Sequence, residues 1–195
     1  MSQTLRSKSY GFTLIEMMVA ISIAAILLAV AIPSFQSLIK RNAIENLQTR
    51  LAAALTAARS EAASRNVVTT LCSTDTGTGC VANKWSSGWI VFIDLNGDAI
   101  KDNNEEILQT FQNNNGYLIK FKNEANNAIN SLSFTSQGFV RNDVRAYAAF
   151  CDPEKTANYT QGLTVERSGR VMKAKTVAFD TGTSTAPTNI TLNCD

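Results

Sequence analysis

The sequence predicts an α+β protein: one long N-terminal helix, its first half apolar enough for a bilayer, packed on an antiparallel β-sheet head held by disulfides. Three observations predict it. From Phe12 to Ile32 the only formal charge is Glu16, and a helix needs about 20 apolar residues to cross a bilayer. Beyond Pro33 apolar residues recur at three- and four-residue spacing, the mark of an amphipathic helix. From Val67 onward, β-branched and aromatic runs alternate with Gly, Asn and Asp clusters, the mark of strands and turns.

The leader comes first. Met1–Gly11 is short, polar and basic, with Arg6 and Lys8, and differs from a secretory signal, whose cut follows the apolar stretch. Cleavage between Gly11 and Phe12 would keep the whole apolar helix, free an amine at Phe12 and place Glu16 fifth. A lone carboxylate in lipid costs about 2.5–3.5 kcal/mol on insertion scales. The plain alternative is a signal anchor that tolerates one Glu; the sharper one pairs Glu16 with a neighbouring subunit's terminal ammonium.

Next, Pro33 lacks an N–H and clashes with the preceding turn, so a kink is expected there. Phe35, Leu38, Ile44, Leu47, Leu51, Leu55, Ala58 and Ala62 then form one stripe, with Lys40, Arg41, Glu45, Gln48, Arg59 and Glu61 largely elsewhere. Continued to about Asn66, such a helix would span roughly 80 Å at about 1.5 Å per residue. The domain reading is therefore leader 1–11, transmembrane or filament-core helix 12–33, amphipathic continuation 34–66 and β-rich head 67–195.

Eight strands are expected in the head: Val67–Cys72, Trp89–Asp94, Ile107–Phe111, Tyr117–Lys122, Leu132–Thr135, Arg145–Cys151, Leu163–Arg167 and Arg170–Lys175. Ser168-Gly169 marks a hairpin turn between the last two, and Thr181–Asn189 reads as a loop. Four cysteines in a head sent outside the cytoplasm favour disulfides over a metal. Of three connectivities, Cys72–Cys80 with Cys151–Cys194 lets each pair close its own segment, the second pinning the chain end for about 2–4 kcal/mol.

Gly11-Phe12-Thr13-Leu14-Ile15-Glu16 before an apolar helix resembles the class III signal of type IV pilins and type II secretion pseudopilins. Ala58-Arg59-Ser60-Glu61-Ala62, Leu71-Cys72, Gly88-Trp89-Ile90-Val91-Phe92-Ile93-Asp94, Asn96-Gly97-Asp98 and Ser168-Gly169-Arg170-Val171 are similar to the GspH/FimT branch of minor pilins. The resemblance implies a type IV pilin fold, a prepilin peptidase that cuts after Gly11 and methylates Phe12, and Glu16 setting assembly register. It also implies an inner-membrane protein with a periplasmic head, later a low-abundance pilus subunit at the filament tip, where minor pilins prime assembly. Its partners would be other minor and major pilins. A minor pseudopilin of type II secretion is the near alternative, and a DNA receptor for natural transformation another.

Composition narrows the chemistry. The chain has 18 basic and 16 acidic residues; losing Arg6 and Lys8 with the leader balances them at 16 each, so DNA attraction requires a local patch. Arg167, Arg170, Lys173 and Lys175 form one. The plain reading is a charge-protected edge strand. Phosphate contact is the other, because some FimT proteins bind DNA through Gly-Arg-x-Arg; here Gly169-Arg170 is followed by Val171-Met172-Lys173, and the second arginine is missing. Asp94, Asn96, Asp98, Asp102 and Glu105 fall at positions 1, 3, 5, 9 and 12 of an EF-hand-like loop, but Ala99 stands where that loop wants glycine. An acidic hairpin turn is the preferred reading and calcium the alternative, so no metal or other cofactor is expected. Trp85 and Trp89 suit strand-core packing. The chain has no histidine, which removes Ser-His and Cys-His pairs, and no enzyme is expected.

Overall fold

The computed structural model describes residues 11–154 and 161–174. The leader up to residue 10, Lys175, the 181–189 loop and Cys194 lie outside the described residues. Two compact units divide the chain, Met1–Ile39 and Lys40–Asp195.

Helix α1 covers Leu14–Arg65 and contributes to both units. In the first, Thr13 begins it: the Thr13 hydroxyl accepts the Glu16 amide at 3.3 Å, and its carbonyl accepts the Met17 amide at 3.2 Å. Such an oxygen satisfies one of the donors left over at a helix start. The helix runs on through Pro33. Sixteen large apolar side chains between Phe12 and Ile39 are more than half exposed.

In the second unit the same helix buries a stripe of Ile44, Leu47, Leu51, Ala54, Leu55, Ala58 and Ala62. Phe35 and Leu38, expected on that stripe, are instead exposed; the stripe starts only within the unit that begins at Lys40. Gln48, expected outside it, is buried because its side-chain amide donates to the Gly162 carbonyl. A buried amide with a partner avoids the penalty of an unmade hydrogen bond.

Eight strands follow, each within two residues of its expected place: β1 Thr69–Ser73, β2 Gly88–Ile93, β3 Ile107–Gln112, β4 Leu118–Asn123, β5 Ser131–Phe134, β6 Ala146–Cys151, β7 Gln161–Val165 and β8 Val171–Ala174. They make two antiparallel sheets, ordered β3-β2-β1-β5 and β4-β6-β7-β8. The division arises because β5 returns to β1, pairing Leu132 with Leu71, instead of staying beside β4. Both sheets feed one core with the helix. Leu71, Trp89, Val91, Leu132 and Phe134 come from the first sheet, and Ile119, Phe121, Ala148, Phe150, Leu163 and Val165 from the second.

Alternation puts the intervening residues on the other faces. Behind the first sheet, Cys72, Ile90 and Phe92 form a smaller cluster with Cys80 and Ile107. The expected Cys72–Cys80 bridge is present, with Cα atoms 5.6 Å apart. Cys151 is not a free thiol, and the expected partner, Cys194, falls outside the described residues. Trp85 and Trp89 are both core residues. Trp85 meets Phe121 edge-on at 4.8 Å and donates its indole N–H to the Ile129 carbonyl at 2.6 Å.

The β7–β8 turn differs in detail from the two-residue hairpin expected at Ser168-Gly169. Gly169 donates its amide to the Glu166 carbonyl at 2.8 Å, while the Glu166 amide reaches the Arg170 carbonyl at 2.9 Å, so three residues form the loop. Gly169 has φ +76°, and a Cβ there would lie 2.1 Å from the Gly138 carbonyl oxygen. Only glycine fits both the left-handed backbone and that approach. Arg59 of α1 donates to the same carbonyl at 2.9 Å, tying helix, β7–β8 turn and the turn after β5 together.

Candidate functional site

Two regions contain the predicted site residues, and the structure treats them differently. At the N-terminus, Gly11 and Phe12 are exposed just before the first helical turn, and no atom approaches within 4 Å of a Cβ placed on Gly11. Glu16 is exposed in that turn. It makes no ion pair with any described residue. An acid suits the positive end of the helix dipole, but that gives no reason for a carboxylate within a stretch this apolar.

Two serine hydroxyls of the segment are satisfied within the helix. Ser22 returns its hydroxyl to the Met18 carbonyl at 2.8 Å, and Ser37 to the Ser34 carbonyl at 2.7 Å. Helical backbone with such back-bonded hydroxyls leaves little that needs water. Pro33 removes the amide that would otherwise meet the Ala29 carbonyl. Monomeric soluble proteins rarely expose an apolar patch larger than a few hundred Å², so a surface of sixteen large apolar side chains calls for a cover. Lipid and other helices of the same kind are its two natural covers. Leu14–Arg65 contains a window of mean hydropathy 2.6, long and apolar enough to cross a membrane.

The basic cluster lies at the other end of the chain. Of Arg167, Arg170, Lys173 and Lys175, the first three are described. Arg167 pairs with Glu124 at 2.7 Å and lies 3.8 Å from Asp143; hydrogen bonding to Glu124 leads the causes that raise its pKa above the ordinary arginine value. Lys173 donates to the Thr49 hydroxyl of α1 at 2.8 Å. Arg170 takes the opposite strand face, over Met172. The structure adds Arg145, which lines the same shallow pocket as Arg167 and Arg170. It is absent from the sequence-predicted cluster because it enters from the β6 end, 22 positions before Arg167; only the β6–β7 pairing of Ala146 with Val165 brings it close. Arg145 is bound to Glu166 at 2.8 Å. Its pKa is raised above the ordinary arginine value first by a hydrogen bond with Tyr147, with Glu166 adding to the effect against partial burial. Arg145 and Arg167 thus meet three acids, Glu124, Asp143 and Glu166, and Arg170 is the one arginine of the three with no acid beside it among the described residues. A phosphate backbone is held by several uncompensated cations, and this pocket does not supply them.

An exposed apolar helix with one unpaired acid, and a two-sheet core closed by the later half of that helix, define a pilin-type subunit. The comparisons carry this further. The family profile described as Type II transport protein GspH matches residues 48–194, and the profile described as Prokaryotic N-terminal methylation motif matches residues 6–32. The chain belongs to the GspH family, among the minor type IV pilins and pseudopilins. Its relatives there are structural subunits and not enzymes.

Among solved structures, the type IV minor pilin FimU of Pseudomonas aeruginosa is similar at 20% identity and a TM-score of 0.53, covering 76% of this chain and 96% of that one. A second crystal form of the same pilin gives 0.51, at 20% identity over 74% and 98% of the two chains. The minor pseudopilin EpsH from the Type 2 Secretion System of Vibrio cholerae is 9% identical, with a TM-score of 0.47 over 66% and 93%. The FimU likeness shows the fold. No curated protein matches the chain.

Proposed function

We propose that this chain is a low-abundance type IV pilus subunit that helps prime assembly at the filament tip and polymerises through its N-terminal helix. A prepilin peptidase removes residues 1–11 and methylates Phe12. The mature chain waits in the inner membrane with its head in the periplasm, then joins other minor and major pilins in a filament at the cell surface.

The observation that carries this reading is the apolar surface from Phe12 to Ile39 around one unpaired carboxylate. In the bilayer, lipid covers the surface; in the filament, neighbouring helices do. Lipid and helix surfaces are about equally apolar, so the transfer gains little from burial alone and rests on packing and polar pairing. Glu16, fifth after the cut, pairs with a subunit's terminal ammonium and fixes the axial register, while Pro33 loosens the helix where the apolar run ends.

Glu16→Ala tests this. Membrane insertion should be unchanged while entry into sheared filaments is lost; equal incorporation of variant and parent would refute the reading. A pseudopilin of type II secretion would use the same helix transfer. Counting pili, secreted exoprotein and DNA uptake separately in a deletion strain distinguishes the three roles, with loss of pili expected first. The acids paired with Arg145 and Arg167, which leave Arg170 alone without one among the described residues, weigh against direct DNA binding.

A further inference from the structure

The acidic turn between β2 and β3 occupies its carboxylates with its own backbone. Ala99, at φ +63°, gives its amide to Asp94 at 3.0 Å, Ile100 gives its own to Asp98 at 2.8 Å, and Leu95 to Glu105 at 2.8 Å. A groove between α1 and the β3–β4 turn has the opposite character: two hydrogen-bond donors are held in place there with no acceptor.

The groove measures about 430 Å³ and is walled by Ala43, Asn46, Leu47 and Arg50 of α1 and by the chain from Phe111 to Tyr117. Arg50 is fixed twice. Its guanidinium lies over the Phe111 ring, 5.4 Å from the centre, and its Nε donates to Asn46 Oδ1 at 2.7 Å. Phe111 in turn stacks on the buried Trp89 at 4.2 Å. With one face on a ring and Nε occupied, the guanidinium keeps its two terminal nitrogens for a ligand. Across the groove Asn113 is buried and braces the turn, its side-chain amide donating to the Ser86 carbonyl at 2.9 Å and the Tyr117 carbonyl at 3.2 Å. Tyr117 lines the groove, and its hydroxyl bonds to none of the described residues.

No acid answers these donors. Among the described residues Arg50 makes no ion pair, even with Glu45 five positions earlier on the same helix. No Asp or Glu lines the groove. Arg59 and Arg141, by contrast, give their guanidinium groups to the Gly138 and Gly97 carbonyls. An arginine stacked on an aromatic ring presents a planar, pre-organised fork that matches a carboxylate. The groove is also open, whereas small-molecule sites bury most of their ligand. A carboxylate carried on a protein surface therefore suits it.

We infer that this groove receives an aspartate or glutamate side chain from the head of a neighbouring pilin, a step that rests on the filament reading above. Helix α1 is continuous from the apolar stretch into the groove wall, and Ala43 follows Ile39 by one turn. A subunit whose helix covers the apolar stretch thus comes within reach of Arg50. The contact supplies what helix packing lacks, because equally apolar helices do not choose among neighbours, whereas a charge pair fixes partner and register.

The test compares filaments from cells expressing the parent, Arg50→Glu, or a chain with Asn115→p-benzoylphenylalanine at the groove rim. Arg50→Glu should enter filaments about tenfold less than the parent, the scale of one charge-assisted hydrogen bond. Its Tm in micelles should stay within about 3 °C of the parent's. Illumination of the Asn115 variant in filaments should join it to another pilin. Incorporation of Arg50→Glu at the parent's level overturns the inference and leaves the filament reading standing. A parental chain in filaments whose Asn115 variant gives no such crosslink does the same, as does a loss of incorporation accompanied by a larger fall in Tm, which would make Arg50 a structural residue. A parental chain absent from filaments overturns both.

Discussion

Along α1, residues up to Ile39 and residues from Lys40 onward answer to different surroundings. In the first stretch Leu27 is 65% exposed and Ile26 68%; in the second Leu51 and Leu55 are 0% exposed. Both stretches are helical and rich in the same residue types, so helix propensity does not separate them. Pattern does. Before Pro33 the apolar residues surround the helix on every side, as in a membrane span; after Lys40 they keep to one stripe with polar residues opposite, as in a surface helix. One continuous element thus has a half buried in its own domain and a half whose large apolar side chains stay exposed.

Substitutions can break this contrast. Leu55→Ala, in the stripe, should cost about 2–5 kcal/mol through the cavity it leaves, read as a lowered Tm of the full chain in micelles. Severing the Cys72–Cys80 loop with Cys72→Ser should cost about 2–3 kcal/mol and show as a lower melting transition under oxidising conditions. Gly169→Ala, forced to hold φ near +76° against the Gly138 carbonyl, should cost about 1–3 kcal/mol by the same melt. Leu27→Ala should shift the transition by no more than about 0.5 kcal/mol, since that side chain is exposed. A Leu27 effect as large as that of Leu55 would erase the distinction between the halves.

Much of this was legible in residue order. The helix extent, all eight strands and the Cys72–Cys80 bridge follow from local spacing, because each depends on neighbours in sequence. What was not legible depends on distant partners. The split into two sheets rests on β5 crossing back to β1. Phe35 and Leu38 keep the stripe's spacing yet stay exposed. Gln48 is buried only because Gly162 offers its carbonyl, and Arg145 joins the arginine pocket only through β6–β7 register. Ala99 holds a left-handed backbone in the turn where Asp94 accepts its amide, something no single-residue preference signals. For the N-terminal site, the cut and Glu16's pairing remain expectations that sequence and exposure both support.

The most direct measurement is mass spectrometry of the mature chain recovered from filaments. The account predicts a chain that begins at N-methylated Phe12 and retains the apolar segment through Ile32. A chain that begins beyond Ile32, or one found only free of filaments, would contradict it.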